Sequence, residues 1–328
     1  EPLVEMGVTH VDIPMKMNKN PISDYLLYRR FLEAFRSTRP EIYLGYTIKP
    51  NIYGSMAAHK LGIPTVNNIA GLGTVFASDT FVAKIAKALY RIALGRAAKV
   101  FFQNSDDRKL FTTSGIVKHD RHDLLPGSGV DLERFAFSPL QVPATRDTLR
   151  FLLIGRMLWD KGVGEFVEAA KSILASRKDV EFLLLGGMAN DNPTAIPKVQ
   201  IDRWVAEGYV TYLGYSDDVP GEILKSDCIV LPSAYPEGTP RTLLEASAIG
   251  RPIITTDAPG CRDTVDDGVS GFLCALRDAR DLQSKLEKVI ALSAQERSDM
   301  GRAGRDKMQR EYDERIVIEK YLETISAL

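Results

Sequence analysis

The sequence has no apolar run of about 18 residues, the length that a membrane-spanning helix requires. It also has few cysteines: the 328 residues include only Cys228, Cys261 and Cys274. Their spacing does not match a metal site, and Cys228 lies in an apolar run typical of a buried strand. The composition therefore favours a globular protein in a reduced, cytoplasmic compartment.

A glycine fingerprint of the form G-x-G-x-x-G is also missing. That turn allows a dinucleotide to approach the start of a helix, so a nicotinamide-dependent dehydrogenase is disfavoured. The overall composition is ordinary, with 45% hydrophobic and 26% charged residues and a formal net charge of −1. A chain of this length predicts about two domains of ~150 residues each.

Charge is distributed unevenly along the chain. Residues 1–145 contain 18 Lys and Arg against 13 Asp and Glu, whereas the remainder contains 24 against 30. A basic first half is compatible with an anionic or membrane-linked partner, and it is equally compatible with chance variation on solvated faces. The basic helix predicted over 81–97 has the same two interpretations, with packing against the protein favoured over contact with an anionic bilayer. No nucleic-acid partner is expected.

Alternating strand and helix patterns predict an α/β chain with parallel sheets. The chain opens with the tail of a helix closed by Gly7 and a strand over 8–13, instead of the buried strand and tight turn that normally begin a doubly wound domain. We therefore expect an opening unit of about 40 residues to be missing. A helix over 24–37 and strands over 42–46 and 62–68 follow.

The predicted domains are 1–144 and 145–309, joined by a proline-containing linker over 139–146. Residues 310–328 are expected to form a final helix, of the kind that returns to the first domain in this fold class. Two histidines, His119 and His122, are three residues apart, but no acidic or thiol partner is spaced to complete a metal site. A solvated loop is the preferred interpretation of that segment.

The second half begins with a strand over 149–154, a loop over 155–162 and an amphipathic helix. The loop carries two cations, Arg156 and Lys161, in the pattern G-R-x-x-x-x-K-G. Fixed cations at the carboxyl end of a parallel strand can neutralise an anionic group.

The most informative stretch is Y-P-E-G-T-P-R-T-L-L-E-A over 235–246, which follows the apolar run 228–231. Thr239 is expected to cap a helix with Pro240 at its first position and Gly250 just past its end. Glu237 then lies in a strand-to-helix loop and Glu245 on the helix, both facing the ligand edge of the sheet.

This Glu-x7-Glu frame, together with the G-R-x-x-x-x-K-G loop, resembles the signature of retaining glycosyltransferases of family 4, which have the GT-B fold. The resemblance implies two Rossmann-like doubly wound domains facing across a cleft, the first of them lacking its opening strand and loop. It implies that Glu237 contacts the donor sugar, Glu245 binds the ribose, and Arg156 and Lys161 hold the diphosphate. The other donor-binding positions that it implies are Gly155, Gly187, Gly214, Tyr215, Gly238, Thr239, Pro240 and Leu243.

The segments T-I-K-P-N-I-Y-G over 47–54 and G-L-G over 71–73 resemble a subgroup of this family that acts on lipid-linked glycan precursors. One interpretation is that Lys49 and the backbone of 71–73 bind a sugar-linked phosphate. The other is that Lys49 is an ordinary surface cation and 71–73 an ordinary turn that requires glycine. The acceptor-binding residues implied by the resemblance are Thr47, Lys49, Asn51, Gly71 and Gly73.

The resemblance implies a hexosyltransferase that moves a hexose or N-acetylhexosamine from a nucleotide sugar, most simply a UDP-sugar, to a glycan or lipid-linked acceptor in polysaccharide biosynthesis. No D-x-D occurs, so the nucleotide sugar is expected to act as co-substrate without a metal or other cofactor. A cytoplasmic location is expected, with peripheral contact at the membrane as an option. The alternatives are an epimerase or hydrolase of GT-B shape and a non-catalytic binding subunit.

Overall fold

The computed structural model describes residues 2–15, 20–72, 81–142, 148–189 and 192–328. The chain divides into two compact units. Unit 1 comprises Glu1–Leu124 and Tyr321–Leu328, and unit 2 comprises Leu125–Lys320. Across the described ranges, no helix is both long enough and apolar enough to cross a membrane.

Unit 1 is built around a parallel sheet with the strand order β1-β2-β3-β4. Its elements are α1 (Pro2–Glu5), α2 (Pro21–Thr38), β1 (Tyr43–Tyr46), α3 (Ser55–Lys60), β2 (Thr65–Ile69), α4 (Phe81–Leu94), β3 (Lys99–Phe102), α5 (Ser105–Thr113) and β4 (His122–Leu124). A π-helical turn, Pro50–Gly54, leads directly into α3. His122 is the first residue of β4, so the prediction of a solvated loop was wrong at this residue. The ring of His122 lies 5.7 Å from that of His119.

Helix α2 shows how local sequence positions an element of unit 1. The side chain of Asn20 accepts a hydrogen bond of 2.9 Å from the Ile22 N–H, which caps the helix, and Pro21 occupies its first turn. Leu27, Phe31, Leu32 and Phe35 recur at helical spacing and are buried in one cluster with Ala57 and Ala58 of α3. The predicted helix over 24–37 is therefore confirmed.

The strand predicted over 8–13 is absent. Gly7 ends α1 in a left-handed conformation (φ +87°), as expected, but the following residues pair with no strand in the described part of unit 1. Val8 and Val11 are 49% and 43% exposed. An apolar alternation forms a strand only where a ladder partner exists, and the described strands of unit 1 provide none for this segment.

Unit 2 has a six-stranded parallel sheet with the order β10-β9-β8-β5-β6-β7. Its strands are β5 (Leu149–Ile154), β6 (Val180–Leu185), β7 (Thr211–Gly214), β8 (Cys228–Leu231), β9 (Ile253–Thr256) and β10 (Gly271–Cys274). Its helices are α6 (Val163–Leu174), α7 (Lys198–Ala206), α8 (Val219–Leu224), α9 (Arg241–Ile249), α10 (Ala279–Ala291) and α11 (Ala294–Lys307). The last helix, α12 (Glu314–Ser326), begins in unit 2 and ends in unit 1. The chain order reverses between β5 and β8, which places a topological switch point between these two strands.

Helices cover both faces of this sheet, and the central strand β5 is apolar on both sides. Phe151 and Leu153 of β5 lie in one hydrophobic cluster with Phe166 of α6, whereas Leu152 and Ile154 lie in a second cluster with α9. Successive strand residues point to opposite faces, which explains the continuous apolar run in β5.

The boundary between the units precedes the predicted position at residue 144. Val130 and Phe135 are buried in the second cluster of unit 2. The Val130 N–H donates to the Tyr312 carbonyl at 2.8 Å, and the Ser138 N–H donates to that of Ile249 at 2.9 Å. Apolar burial and backbone pairing thus attach this segment to unit 2, whereas part of the predicted linker, 143–147, lies outside the described residues.

The C-terminal region is helical from Ala279, with an interruption at Ser293, which forms a capping box with Glu296. Only Tyr321–Leu328 belongs to unit 1, instead of the whole of 310–328. The Tyr321 hydroxyl accepts a hydrogen bond of 3.1 Å from Asn68, and its ring stacks on that of Tyr46 with centroids 6.3 Å apart. These contacts explain why the last turns of α12 join unit 1.

Candidate donor site

The candidate site lies on two loops that leave the carboxyl ends of neighbouring strands. Residues 155–162 follow β5 and residues 232–240 follow β8, and these strands pair directly. The two loops are joined by backbone hydrogen bonds, because the Asp160 carbonyl accepts from the N–H groups of Ala234 at 2.9 Å and Tyr235 at 3.0 Å. The predicted cations and Glu237 are therefore brought together at the switch point of the sheet.

Glu237 is held by two side chains through one of its oxygens. Lys161 forms an ion pair with Glu237 Oε1, and the Ser233 hydroxyl donates to the same oxygen at 2.8 Å. The pair is largely withdrawn from water, with side-chain exposures of 17% for Lys161 and 12% for Glu237. Hydrogen bonds to a carboxylate in such an environment are stronger than those between neutral groups, so the orientation of Glu237 is well defined.

Two glycines allow these loops to pack closely. A Cβ on Gly162 (φ +75°) would lie 2.1 Å from the Pro232 carbonyl oxygen. A Cβ on Gly260 (φ +77°) would lie 1.8 Å from the Gly238 carbonyl oxygen and 2.9 Å from that of Glu237. Both the backbone conformation and the space therefore require glycine at these two positions.

Arg156 lies on the same loop as Lys161 but is exposed. Within the described part of unit 2, it makes no ion pair. Tyr235 responds to the charges of Glu237 and Arg156. Burial and then the Glu237 carboxylate raise the pKa of Tyr235, whereas the Arg156 guanidinium lowers it. The Lys161 ammonium also lies over the Tyr235 ring, 5.6 Å from its centroid. Lys161 therefore contacts both Glu237 and Tyr235, and the charge of Arg156 acts on the same tyrosine.

Glu245 lies on α9 and is partly buried. Arg241 Nε lies 3.4 Å from Glu245 Oε1. Burial raises the pKa of Glu245, and the opposing effects of Arg241 and Arg134 are smaller. A carboxylate at the edge of a sheet, partly desolvated and near two guanidinium groups, is well suited to accept hydrogen bonds from a polyol such as ribose.

The start of α9 differs from the prediction. Pro240 adopts an extended ψ of 115° and is itself the N-cap residue, so the helix begins one residue later, at Arg241, without a side-chain cap. Thr239 is buried and its side chain packs against Gly127. A Cβ added to Gly127 would lie 2.7 Å from the Cβ of Thr239. The predicted end is confirmed, since Gly250 closes the helix with φ +96°.

Three predicted glycines lie at the ends of neighbouring strands. The N–H of Gly155 donates to the Leu185 carbonyl at 2.9 Å, the Met157 N–H to that of Gly187 at 3.1 Å, and the Gly186 N–H to that of Gly214 at 2.7 Å. This edge is compact, because a Cβ on Gly186 would lie 2.0 Å from the Gly155 carbonyl oxygen. A ligand can therefore approach the backbone here without meeting side chains.

The remaining predicted donor positions have mixed environments. Tyr215 is 74% exposed and its hydroxyl donates to Asp217 at 2.9 Å. Leu243 is fully buried in the core of unit 2, so its side chain has a packing role. Any contact of Leu243 with a donor stays a prediction, as do the roles assigned to the other donor-site residues.

The predicted acceptor residues lie in unit 1. The segment 47–54 is mostly helical, because Thr47 turns the chain with φ +63° and helical structure begins at the next residue. Lys49 forms a partly buried ion pair with Asp24, with Nζ and Oδ1 2.7 Å apart. Asn51 is 1% exposed and donates to the Asn68 carbonyl at 2.8 Å. These contacts give both side chains a structural role.

The other two acceptor positions are glycines. Gly71 has φ +93°, as a turn requires, and Gly73 lies outside the described residues. Acceptor binding at 47–54 and 71–73 therefore stays a prediction. Among the described residues, no group of three or more His, Cys, Asp or Glu side chains is placed to hold a metal ion. The expectation of metal-independent chemistry is unchanged by this finding.

Sequence reasoning missed Ser233, Tyr235, Asp160 and Gly260 as parts of the site. A signal for Ser233 was present, since a polar residue that directly follows the buried strand β8 lies at the ligand edge of a parallel sheet. The role of the Asp160 carbonyl carried no signal, because it depends on a backbone contact between distant loops.

Comparison with known proteins agrees with this geometry. Residues 148–291 match the family described as glycosyl transferases group 1. The chain is 28% identical to the N,N'-diacetylbacillosaminyl-diphospho-undecaprenol alpha-1,3-N-acetylgalactosaminyltransferase of Campylobacter jejuni, over 84% of this chain and 73% of that protein. It is 25% identical to the capsular polysaccharide biosynthesis glycosyltransferase CapM of Staphylococcus aureus, over 95% of this chain and 83% of that protein.

Among solved structures, that of Anabaena HepE in complex with UDP and glucose covers 100% of this chain and 89% of its own, with a TM-score of 0.81 and 18% identity. The two parallel-sheet units and this likeness show the GT-B fold. The segment 148–291, which matches the glycosyl transferases group 1 family, includes Arg156, Lys161, Glu237 and Glu245. The predicted fold and enzyme class are thus confirmed.

Proposed function

We propose that the protein transfers an N-acetylhexosamine or hexose from a UDP-sugar to a lipid-linked glycan, with retention of anomeric configuration. The observation that carries the proposal is the cluster of Arg156, Lys161 and Glu237 at the switch point of unit 2, with Glu245 on the adjoining helix. The sugar and the acceptor class are supported by the C. jejuni relative, whose name specifies N-acetylgalactosaminyl transfer to a diphospho-undecaprenol glycan. UDP as the nucleotide is supported by the E. coli relative named as a UDP-Gal galactosyltransferase.

In the proposed reaction, the bond between the anomeric carbon and the diphosphate oxygen breaks while the acceptor oxygen bonds to that carbon. Arg156 and Lys161 neutralise the negative charge that accumulates on the departing UDP. The acceptor hydroxyl attacks on the face from which UDP departs, and its proton passes to the leaving phosphate oxygen. Glu237 stabilises the positive charge that develops on the sugar.

The ion pair between Lys161 and Glu237 must be loosened as the donor binds. The diphosphate carries more negative charge than one carboxylate, so it competes for the Lys161 ammonium. Glu237 then interacts with the sugar while Ser233 continues to orient its carboxylate. Donor binding thus prepares both catalytic groups in one exchange of partners.

The first test is calorimetric titration with UDP, GDP and ADP. We expect UDP to bind best, and Glu245→Ala to weaken UDP binding by about 1–3 kcal/mol because a hydrogen bond to a charged group is lost. Glu207→Ala, which removes an exposed acid of unit 2 that pairs with Arg203, is the matched control. Equal UDP affinities for the wild type and Glu245→Ala would refute the donor site.

A second assay separates transfer from the alternative reactions. UDP-N-acetylgalactosamine is supplied with and without an undecaprenyl-diphosphate glycan, and the products are identified by mass and NMR. A new α-linked sugar formed only with acceptor is the expected result. Free sugar or an epimerised nucleotide sugar formed without acceptor would indicate a hydrolase or epimerase, and UDP binding without turnover would indicate a binding subunit.

The proposed acceptor is lipid-linked, so we also propose that the protein acts at the cytoplasmic face of a membrane through peripheral contact. Unit 1 contributes the basic helix α4, which has Lys84, Lys87 and Arg91 among its 14 residues and no acidic residue. A helix of this composition is attracted to anionic lipid. Vesicle binding, described below, tests the contact.

A further inference from the structure

Unit 1 contains a cationic cavity far in sequence from the donor site. Its volume is about 630 Å³, and it lies beside α3 and α4. Four of the residues that line it are basic: His59, Lys60, Arg91 and Arg96. None of its described lining residues is acidic. A cavity of this composition favours an anion, because nothing in its lining compensates the positive charge.

Part of this charge is fixed in place by the fold. Arg91 Nη2 donates to the Ser114 carbonyl at 2.7 Å, so the end of α5 holds the guanidinium beside the cavity. A ring nitrogen of His59 lies 3.1 Å from Thr65 Oγ1. Burial lowers the pKa of His59, and the nearby Arg96 lowers it further. An anion bound between His59 and Arg96 would offset the repulsion between the Arg96 guanidinium and a protonated His59, and would thus favour the protonated imidazole.

The surface next to the cavity is apolar as well as basic. Ile85 and Ile92 are 45% and 59% exposed, and their spacing of two helical turns places them on the same face of α4. Ile92 also lines the cavity. Exposed isoleucines add nothing to the binding of a free phosphate ion, but they gain burial when a charged surface meets a bilayer. The combination therefore points to a lipid headgroup and not to a soluble anion.

We propose that the cavity lined by His59, Lys60, Arg91 and Arg96 binds the phosphate headgroup of an anionic lipid, while Ile85 and Ile92 enter the bilayer interface. This proposal rests on the proposed function in one respect: a lipid-linked acceptor requires the enzyme to work at a membrane. It adds a defined docking surface on unit 1, separate from the donor site of unit 2. The surface would retain the enzyme on the membrane between turnovers.

The experiment is cosedimentation of the whole chain with vesicles of phosphatidylcholine alone or mixed with phosphatidylglycerol. We expect binding to the anionic vesicles only, and weaker binding as salt is raised. Lys60→Glu combined with Arg96→Glu should reduce the vesicle affinity about tenfold or more, since each basic residue near the surface contributes to attraction. The matched control reverses two exposed lysines of unit 1 that do not line the cavity, Lys109 and Lys118.

Two further arms distinguish the possible ligands. Ile92→Asp should weaken vesicle binding, whereas millimolar inorganic phosphate should not displace the protein from vesicles. Displacement by phosphate, with no effect of Ile92→Asp, would identify a soluble-anion site and overturn the lipid proposal. Equal binding to neutral and anionic vesicles, or equal losses in the cavity variant and its control, would overturn it as well.

Each variant is also titrated with UDP to keep this proposal separate from the proposed function. Unchanged UDP affinity with lost vesicle binding supports the docking surface. Vesicle binding that follows the cavity charges while UDP fails to bind would leave the docking surface intact and refute the donor site. Absence of vesicle binding in a wild-type chain that binds UDP would refute only the docking surface.

Discussion

Ser233 offers the sharpest test of how the site works. Its side chain is fully buried, and its hydroxyl donates to Glu237 Oε1 at 2.8 Å. The Asp160 carbonyl lies 3.3 Å away and competes for the same proton, but a carboxylate is the stronger acceptor. Ser233→Ala removes the hydrogen bond to Glu237 and leaves the loop backbone contacts to Asp160 in place.

The expected magnitude follows from the type of bond that is lost. A hydrogen bond to a charged group contributes about 1.5–3 kcal/mol. If it acts mainly while charge develops on the sugar, kcat falls about 10- to 100-fold, because each 1.4 kcal/mol corresponds to a factor of ~10 in rate. The affinity for UDP should change little, since Ser233 contacts Glu237 and is not among the residues proposed to hold the nucleotide.

The assay measures initial rates of UDP release in the presence of acceptor, together with calorimetric UDP binding. Ser247→Ala is a matched control: Ser247 is also fully buried, yet its hydroxyl has no hydrogen-bond partner in the described part of the chain. We expect this control to retain kcat. Equal kcat for Ser233→Ala and the wild type would refute the positioning role, and equal losses in both variants would indicate a general packing defect.

Three further predictions concern neighbouring groups. Because burial raises the pKa of Glu245 above the ordinary glutamate value of 4.5, UDP binding should already weaken at a pH above 4.5 as the pH falls from neutral. Glu245→Gln should flatten this pH dependence in calorimetry. Gly260→Ala should abolish transfer while thermal unfolding shows a folded chain, since its Cβ would lie 1.8 Å from the Gly238 oxygen. Lys161→Met should lower kcat at least tenfold, because two groups lose their charge partner; full activity in either variant would contradict these assignments.

Much of unit 2 was predictable because its signals are local. Continuous apolar runs predicted β5 and β8, since helices cover both faces of the sheet and most residues of these strands are buried in its two hydrophobic clusters. Gly250 predicted the end of α9, because the position just past a helix often adopts a left-handed conformation, which favours glycine. The paired-glutamate frame and the basic loop each follow a predicted strand of a parallel sheet, so the sequence pattern predicts that both lie at the ligand edge of that sheet. The pairing of β5 with β8 agrees with this prediction.

Local patterns failed where an element depends on a distant partner. The apolar residues of 8–13 form no strand because no described strand pairs with them. The segment 125–142 joined unit 2 because Val130 and Phe135 are buried against residues far along the chain. Pattern and propensity describe what a segment can form, whereas pairing and burial decide which of those forms is stable.

The amino-acid sequence by itself therefore determined the fold class, the order of strands and helices in unit 2, and the residue types available at its ligand edge. Only the tertiary structure decided that Lys161 pairs with Glu237, that Ser233 orients the same carboxylate, and that four basic side chains of unit 1 line one cavity. The physical reason is that hydrogen bonds and ion pairs act over a few ångströms in space, whereas the groups they join can be distant in sequence.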